Sequence, residues 1–136
     1  MTLANQSSRI KGMRTSIFFI LLVISLNGLA LTWKKVAENE VGNYYIDFDS
    51  VKKRDGLVFY TDLVDFNEPY KNDQSAISSY AIDCEKEEQK WLSLTTYSKR
   101  MGNGVVNSRS KPNEIIYPQA NTIYFFIIKN ICNLKR

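Results

Sequence analysis

Two acidic pairs and two cysteines are the residues of this 136-residue sequence whose types and spacing could do chemistry. Asp47 and Asp49 lie two apart, which on a strand puts both carboxylates on one face, an arrangement suited to acid-base work or to calcium. Asp62 and Asp65 form the second pair. For the first pair a solvated turn edge is the simpler expectation. No histidine occurs anywhere, which removes Ser-His and Cys-His nucleophilic systems and most zinc sites in one step. Gly102-Asn103-Gly104 lacks the following helix and lysine that a phosphate-binding loop requires. No catalytic residue, metal ligand or cofactor is expected, and the chain reads as a non-enzyme.

The chemistry of Cys84 and Cys132 depends on compartment, and the N-terminus sets the compartment. Residues 17–26 are apolar apart from Ser25, they follow Arg9, Lys11 and Arg14, and Gly28-Leu29-Ala30 puts small residues at the −3 and −1 positions of a cleavage site. This predicts a secretory signal peptide over 1–30, with Met13 as an alternative start that leaves a compact leader of its own. A spanning helix needs about 20 apolar residues, and Ser25, Asn27 and Gly28 interrupt the run, so no membrane anchor is expected after cleavage. The destination is secreted or periplasmic. There a disulfide between Cys84 and Cys132 persists, no thiolate remains to attack a substrate, and closing so long a loop stabilises the fold by about 4 kcal/mol.

Residues 31–136 suit a single domain. Removing Arg9, Lys11 and Arg14 takes the formal net charge from +4 to about +1, and Lys52-Lys53-Arg54, flanked by Asp49 and Asp55, reads as a solvated turn. Nucleic acid is not an expected partner.

The elements that must position these groups are mostly strands. Residues 43–48 and 57–66 are rich in aromatic and β-branched side chains and are joined through Lys53-Arg54-Asp55-Gly56, whose Asp-Gly is a hairpin signal. Residues 68–73 read as a loop, 75–84 alternate with Tyr80, Ile82 and Cys84 on one face, 85–90 are a charged turn, 91–99 a further strand, and Gly102-Asn103-Gly104 reverses the chain before Val105-Val106. In meander order these imply an antiparallel sheet of about six strands.

The tail, 121–132, has the composition of a strand and the spacing of a helix. Tyr124, Ile127, Ile128 and Ile131 fall at i, i+3, i+4 and i+7, with Cys132 at the edge of that face and Thr122, Lys129 and Asn130 opposite. Helix is the preferred reading, with Asn121 as its cap. Phe126 then projects on the polar side between Thr122 and Lys129, the one candidate contact residue for a partner. Trp33, Tyr44, Phe59, Tyr60, Phe66, Tyr80, Trp91 and Tyr97 lie on strands, where packing is the default. A single helix covers one face, so aromatics on the other face would suit a protein partner or a homodimer contact.

Trp33, Tyr44-Tyr45-Ile46-Asp47 with Ser50-Val51, Gly56, Tyr80 through Asp83-Cys84, Tyr97-Ser98, Gly104-Val105-Val106, Pro118 and Ile131-Cys132 together resemble the surface-adhesin protein E family of bacterial exported domains. The resemblance covers nearly all of 31–136 and implies an α+β fold: an antiparallel sheet with a C-terminal helix packed on one face and tethered by the disulfide. It also implies an adhesin that binds host extracellular-matrix proteins at the cell surface. Two departures stand out. No cysteine lies near position 30 for lipid attachment, and Asn113-Glu114-Ile115-Ile116-Tyr117 and Gln119-Ala120-Asn121 replace the tryptophan and the small pair expected around Pro118. The runner-up role is a periplasmic envelope protein with a bacterial partner, ahead of a hydrolase.

Overall fold

Val58, Tyr60, Asp62 and Val64 alternate with Leu57, Phe59, Thr61 and Leu63, and a period of two sends the sets to opposite faces of a strand. In the computed structural model, which describes residues 31–134, this segment lies inside an eight-stranded antiparallel sheet. The strands are β1 (Lys34–Glu38), β2 (Gly42–Ile46), β3 (Lys52–Arg54), β4 (Leu57–Tyr70), β5 (Asp73–Asp83), β6 (Glu88–Tyr97), β7 (Val106–Ser110) and β8 (Glu114–Ile116). Helix α1 (Ile123–Leu134) follows them. The main path runs β1-β2-β4-β5-β6-β7, with β3 paired to β4 and β8 to β6. The expected leader and cleavage site fall on residues 1–30, outside the described residues.

The sheet has eight strands where about six were expected, and the short additions are charged or brief. β3 is the Lys52–Arg54 run itself, exposed but paired, with the Arg54 guanidinium 4.9 Å from the centre of the Phe59 ring. The turn shrinks to Asp55 and Gly56, whose φ values of 53° and 80° suit a two-residue hairpin turn of the type with both central residues left-handed. The loop expected over 68–73 is likewise shorter. β4 runs on to Tyr70 and β5 begins at Asp73, with Lys71 at φ 56° in the turn. Pairing skips from Asp65↔Ser75 to Tyr70↔Asp73, so Pro69 sits where no ladder bond to β5 is needed.

The core brings Ile46, Val58, Tyr60, Tyr80 and Ile82 of the sheet together with Ile127, Ile128, Ile131 and Cys132 of α1 in one buried cluster. The Cys84–Cys132 disulfide joins the end of β5 to the last turn of α1. The helical spacing of the tail thus prevails over its strand composition. Its cap is Thr122 and not Asn121: Thr122 Oγ1 accepts the Phe125 N–H at 3.3 Å and donates to the Gln119 carbonyl at 2.7 Å. Asn121 takes a left-handed φ of 68°, which an asparagine tolerates.

The opposite face is partly covered. Asp65 accepts from Arg100 Nη1 at 3.2 Å and from the Met101 N–H at 2.9 Å, and Ser75 Oγ donates to the Lys99 carbonyl at 2.6 Å while accepting the Gly102 N–H at 2.9 Å. These bonds hold residues 99–102 over Leu63 and Ile77. Gly102 has φ 70°, and a Cβ there would come 2.9 Å from Ile77 Cδ1. Among the described residues no helix is long and apolar enough to cross a membrane.

Candidate functional site

An acid on an apolar strand face must find partners or give up its charge. Asp62 is such an acid: it is fully buried on β4, between Tyr60 and Val64 on the face that carries the core. Tyr124, in the first turn of α1, donates its hydroxyl to Asp62 Oδ2 at 3.0 Å, and Tyr80 of β5 donates to the Tyr124 hydroxyl at 3.2 Å. Asp62 Oδ1 is buried with no hydrogen-bond partner. Burial lifts the Asp62 carboxyl to about 7, the Tyr124 hydroxyl and, more weakly, the Ser78 backbone N–H offsetting only part of that rise. Burial, reinforced by the Asp62 charge, pushes the hydroxyls of Tyr124 and Tyr80 upward too, so both keep the protons they donate.

This chain of groups ends in the wall of an open groove of about 440 Å³ on the same sheet face. Val64, Ala76 and Ser78 supply small side chains to it, while Tyr44, Tyr80, Trp91 and Tyr124 supply rings. Tyr80 stacks on Trp91 with centroids 6.3 Å apart and is tilted 55° against Tyr124 at 5.7 Å; Tyr44 meets Tyr124 edge-on at 6.0 Å. The Trp91 indole N–H is occupied by the Ser93 carbonyl at 3.1 Å, so the ring offers its apolar surface. Asp73 is the only charged residue of the lining, and no lysine or arginine takes part although the chain has 18.

The sequence-derived candidates fall elsewhere. Phe126 is 51 % exposed and stands between two grooves, one of about 590 Å³ shared with Val36, Phe48 and Leu134, the other of about 500 Å³ shared with Ala37 and Phe125. The acidic pairs do not assemble. Asp47 is buried where a solvated edge was expected, and its Oδ1 accepts the Asp49 N–H at 3.1 Å to cap the turn Phe48–Ser50, so 47–49 is no strand bearing two carboxylates on one face. Asp62 and Asp65, three apart on β4, point to opposite faces. What the sequence reading missed is Asp62 as a lone acid among Val58, Tyr60 and Val64, a signal that strand alternation does carry.

A family model described as surface-adhesin protein E matches residues 33–133. The chain belongs to the surface-adhesin protein E family. Two crystal forms of Haemophilus influenzae protein E are similar in structure, each at 17 % identity and a TM-score of 0.56 over 78 % of this chain, covering 87 % and 95 % of those chains. Protein E from non-typeable Haemophilus influenzae gives a TM-score of 0.55 at 17 % identity, over 79 % of each chain. At that identity the likeness concerns the fold. No curated protein matches the chain. The family match and the shared fold agree on an antiparallel sheet with one C-terminal helix.

The two sides of α1 are separable by mutation. Phe126→Ser is expected to leave stability within about 1 kcal/mol of wild type, whereas Ile127→Ser, at a position 1 % exposed, is expected to cost about 3 kcal/mol because it empties core volume and buries a hydroxyl. Chemical denaturation of the two variants checks this. Equal, large losses would show that Phe126 is also buried in solution and remove it as a contact residue.

Proposed function

We propose that this chain is an exported, non-catalytic protein-binding domain that serves as a surface adhesin for host extracellular-matrix proteins. Residues 1–30 are its cleaved leader and 31–136 its single domain. Helix α1 packs on one part of one sheet face, tethered by the disulfide, and the remainder of that face meets the partner. The observation that carries this reading is the aromatic groove beside Tyr124: Trp91 and Tyr124 keep part of their rings exposed over the buried Tyr44 and Tyr80, the kind of surface on which protein partners anchor. Family membership supports the adhesin role. Phe126 adds a second apolar contact point on the outer side of α1.

A second reading, a periplasmic envelope protein, is favoured by one observation: both cysteines are taken up by the disulfide, so neither can carry a lipid. Surface labelling of intact cells separates the two. The adhesin should be labelled and should bind an immobilised host-matrix preparation; a protein reached only after the outer envelope is opened is periplasmic. Mass spectrometry of the exported protein is expected to show a chain that begins near Leu31, and a product that keeps residues 17–26 in the membrane fraction would refute the leader.

A further inference from the structure

We propose that the groove walled by Tyr44, Tyr80, Trp91 and Tyr124 binds a basic side chain of a polypeptide partner, a lysine flanked by apolar residues, and, resting on the protein-binding reading above, this assigns the partner's chemistry. Three features of the site converge on a cation. The lining contains aromatic rings, which attract cations through their quadrupole; Trp91 and Tyr124 are the partly exposed ones, whereas Tyr80 is buried and stacked between Tyr60 and Trp91. It contains no basic residue, and its one charged group is Asp73 at the rim. Behind the wall lies Asp62, fully buried, with one oxygen unpartnered.

The hydrogen-bond chain transmits that negative charge to the groove. Ionised Asp62 has no proton to give, so Tyr124 must donate to it; the Tyr124 oxygen then accepts from Tyr80. Both hydroxyl hydrogens point along the chain toward the acid, and the Tyr80 oxygen, shared with the Ser78 hydroxyl, is its acceptor end, polarised by the hydrogen bonds beyond it. A neutral apolar ligand gains nothing from this polarity and an anionic one is repelled. The titratable groups facing Asp62 are Tyr60 on its own strand, Tyr80 on β5 and Tyr124 on α1, none of which adds a positive charge that would cancel the field.

Ligand affinity is therefore tied to the ionisation of Asp62. Since its carboxyl sits at about 7 while a lysine ammonium stays charged far above that, binding should strengthen as pH rises from 6 to 8.

The test uses the whole domain 31–136 and a blocked Leu-Lys-Phe tripeptide, with norleucine and glutamate analogues in place of the lysine. Titration followed by NMR is expected to shift the Trp91 indole and Tyr80 signals, with the lysine peptide bound about tenfold more tightly than the norleucine analogue. Asp62→Asn is expected to remove that preference and its pH dependence while the domain stays folded. Trp91→Leu, which keeps Asp62, is expected to weaken the lysine peptide and to leave the pH dependence. Equal binding of the three peptides, a flat pH profile, or shifts confined to the Phe126 side of α1 would each overturn the proposal. Matrix binding that survives Asp62→Asn would sink this assignment and leave the adhesin reading standing; lysine-peptide binding without any matrix binding would do the reverse.

Discussion

Removing the Cys84–Cys132 bond is expected to lower the melting temperature by roughly 20 °C. The bond closes a loop of sequence separation 48, for which the chain-entropy model gives a stabilisation of about 4 kcal/mol. A domain of this size has a total stability of only about 5–15 kcal/mol, so the loss is a large share of it. The bond acts on an element with little stability of its own. Helix α1 has 12 residues, too few to persist alone in water, and its retention depends on the cluster formed by Ile127, Ile128 and Ile131 and on the covalent link beside them. The measurement is thermal melting of a Cys84→Ser/Cys132→Ser double variant, which avoids a stray thiol, followed by circular dichroism. Helical signal should be lost at lower temperature than sheet signal. A melt within a few degrees of wild type would mean that apolar packing alone holds α1.

Asp62→Asn is expected to do the opposite and stabilise the protein wherever the aspartate is charged in the unfolded chain, above about pH 4. The folded-state carboxyl lies at about 7 against an ordinary 3.8, so the neutral form is the one that burial favours. The favourable contribution is complete below about pH 4 and is lost as pH rises to 7; above that the fold holds a buried carboxylate at a cost of about 4 kcal/mol. Asparagine keeps the shape and can accept the Tyr124 hydroxyl without the charge. The melting-temperature difference between variant and wild type should be small at pH 4, widen through pH 7 and level off at pH 8. A difference independent of pH would show that Asp62 does not titrate in the folded protein.

The parts of this fold legible in the sequence are those that local periodicity decides. Alternation placed Tyr80, Ile82 and Cys84 on one face of β5, and the i, i+3, i+4, i+7 spacing of Tyr124, Ile127, Ile128 and Ile131 made the tail a helix against its own composition. With two cysteines in the chain, one intramolecular pairing exists. Other parts depend on what a segment meets. β3 and β8 are three residues each, and they are strands because β4 and β6 offer unpaired backbone beside them. The candidate site was hidden for the same reason. Asp62 and Tyr124 are 62 positions apart, and neither residue by itself announces the other. The aromatic surface was expected on the face away from the helix, whereas the loop around Met101 covers part of that face and the open groove lies next to Tyr124.

The two ends of the sheet path, β1 and β7, bear on how this protein lives among its own copies. An outer strand offers bare N–H and C=O groups to any passing chain, the first step toward intermolecular ladders and fibrils. Here β1 carries Lys34, Lys35 and Glu38 and breaks register between Lys35 and Ala37, and β7 is Val-Asn-Ser-Arg-Ser, mostly exposed and short. Both borders are thus poor templates for strand addition. At high local density such a molecule can present an aromatic face without zipping into a polymer, because backbone pairing is denied at the margins.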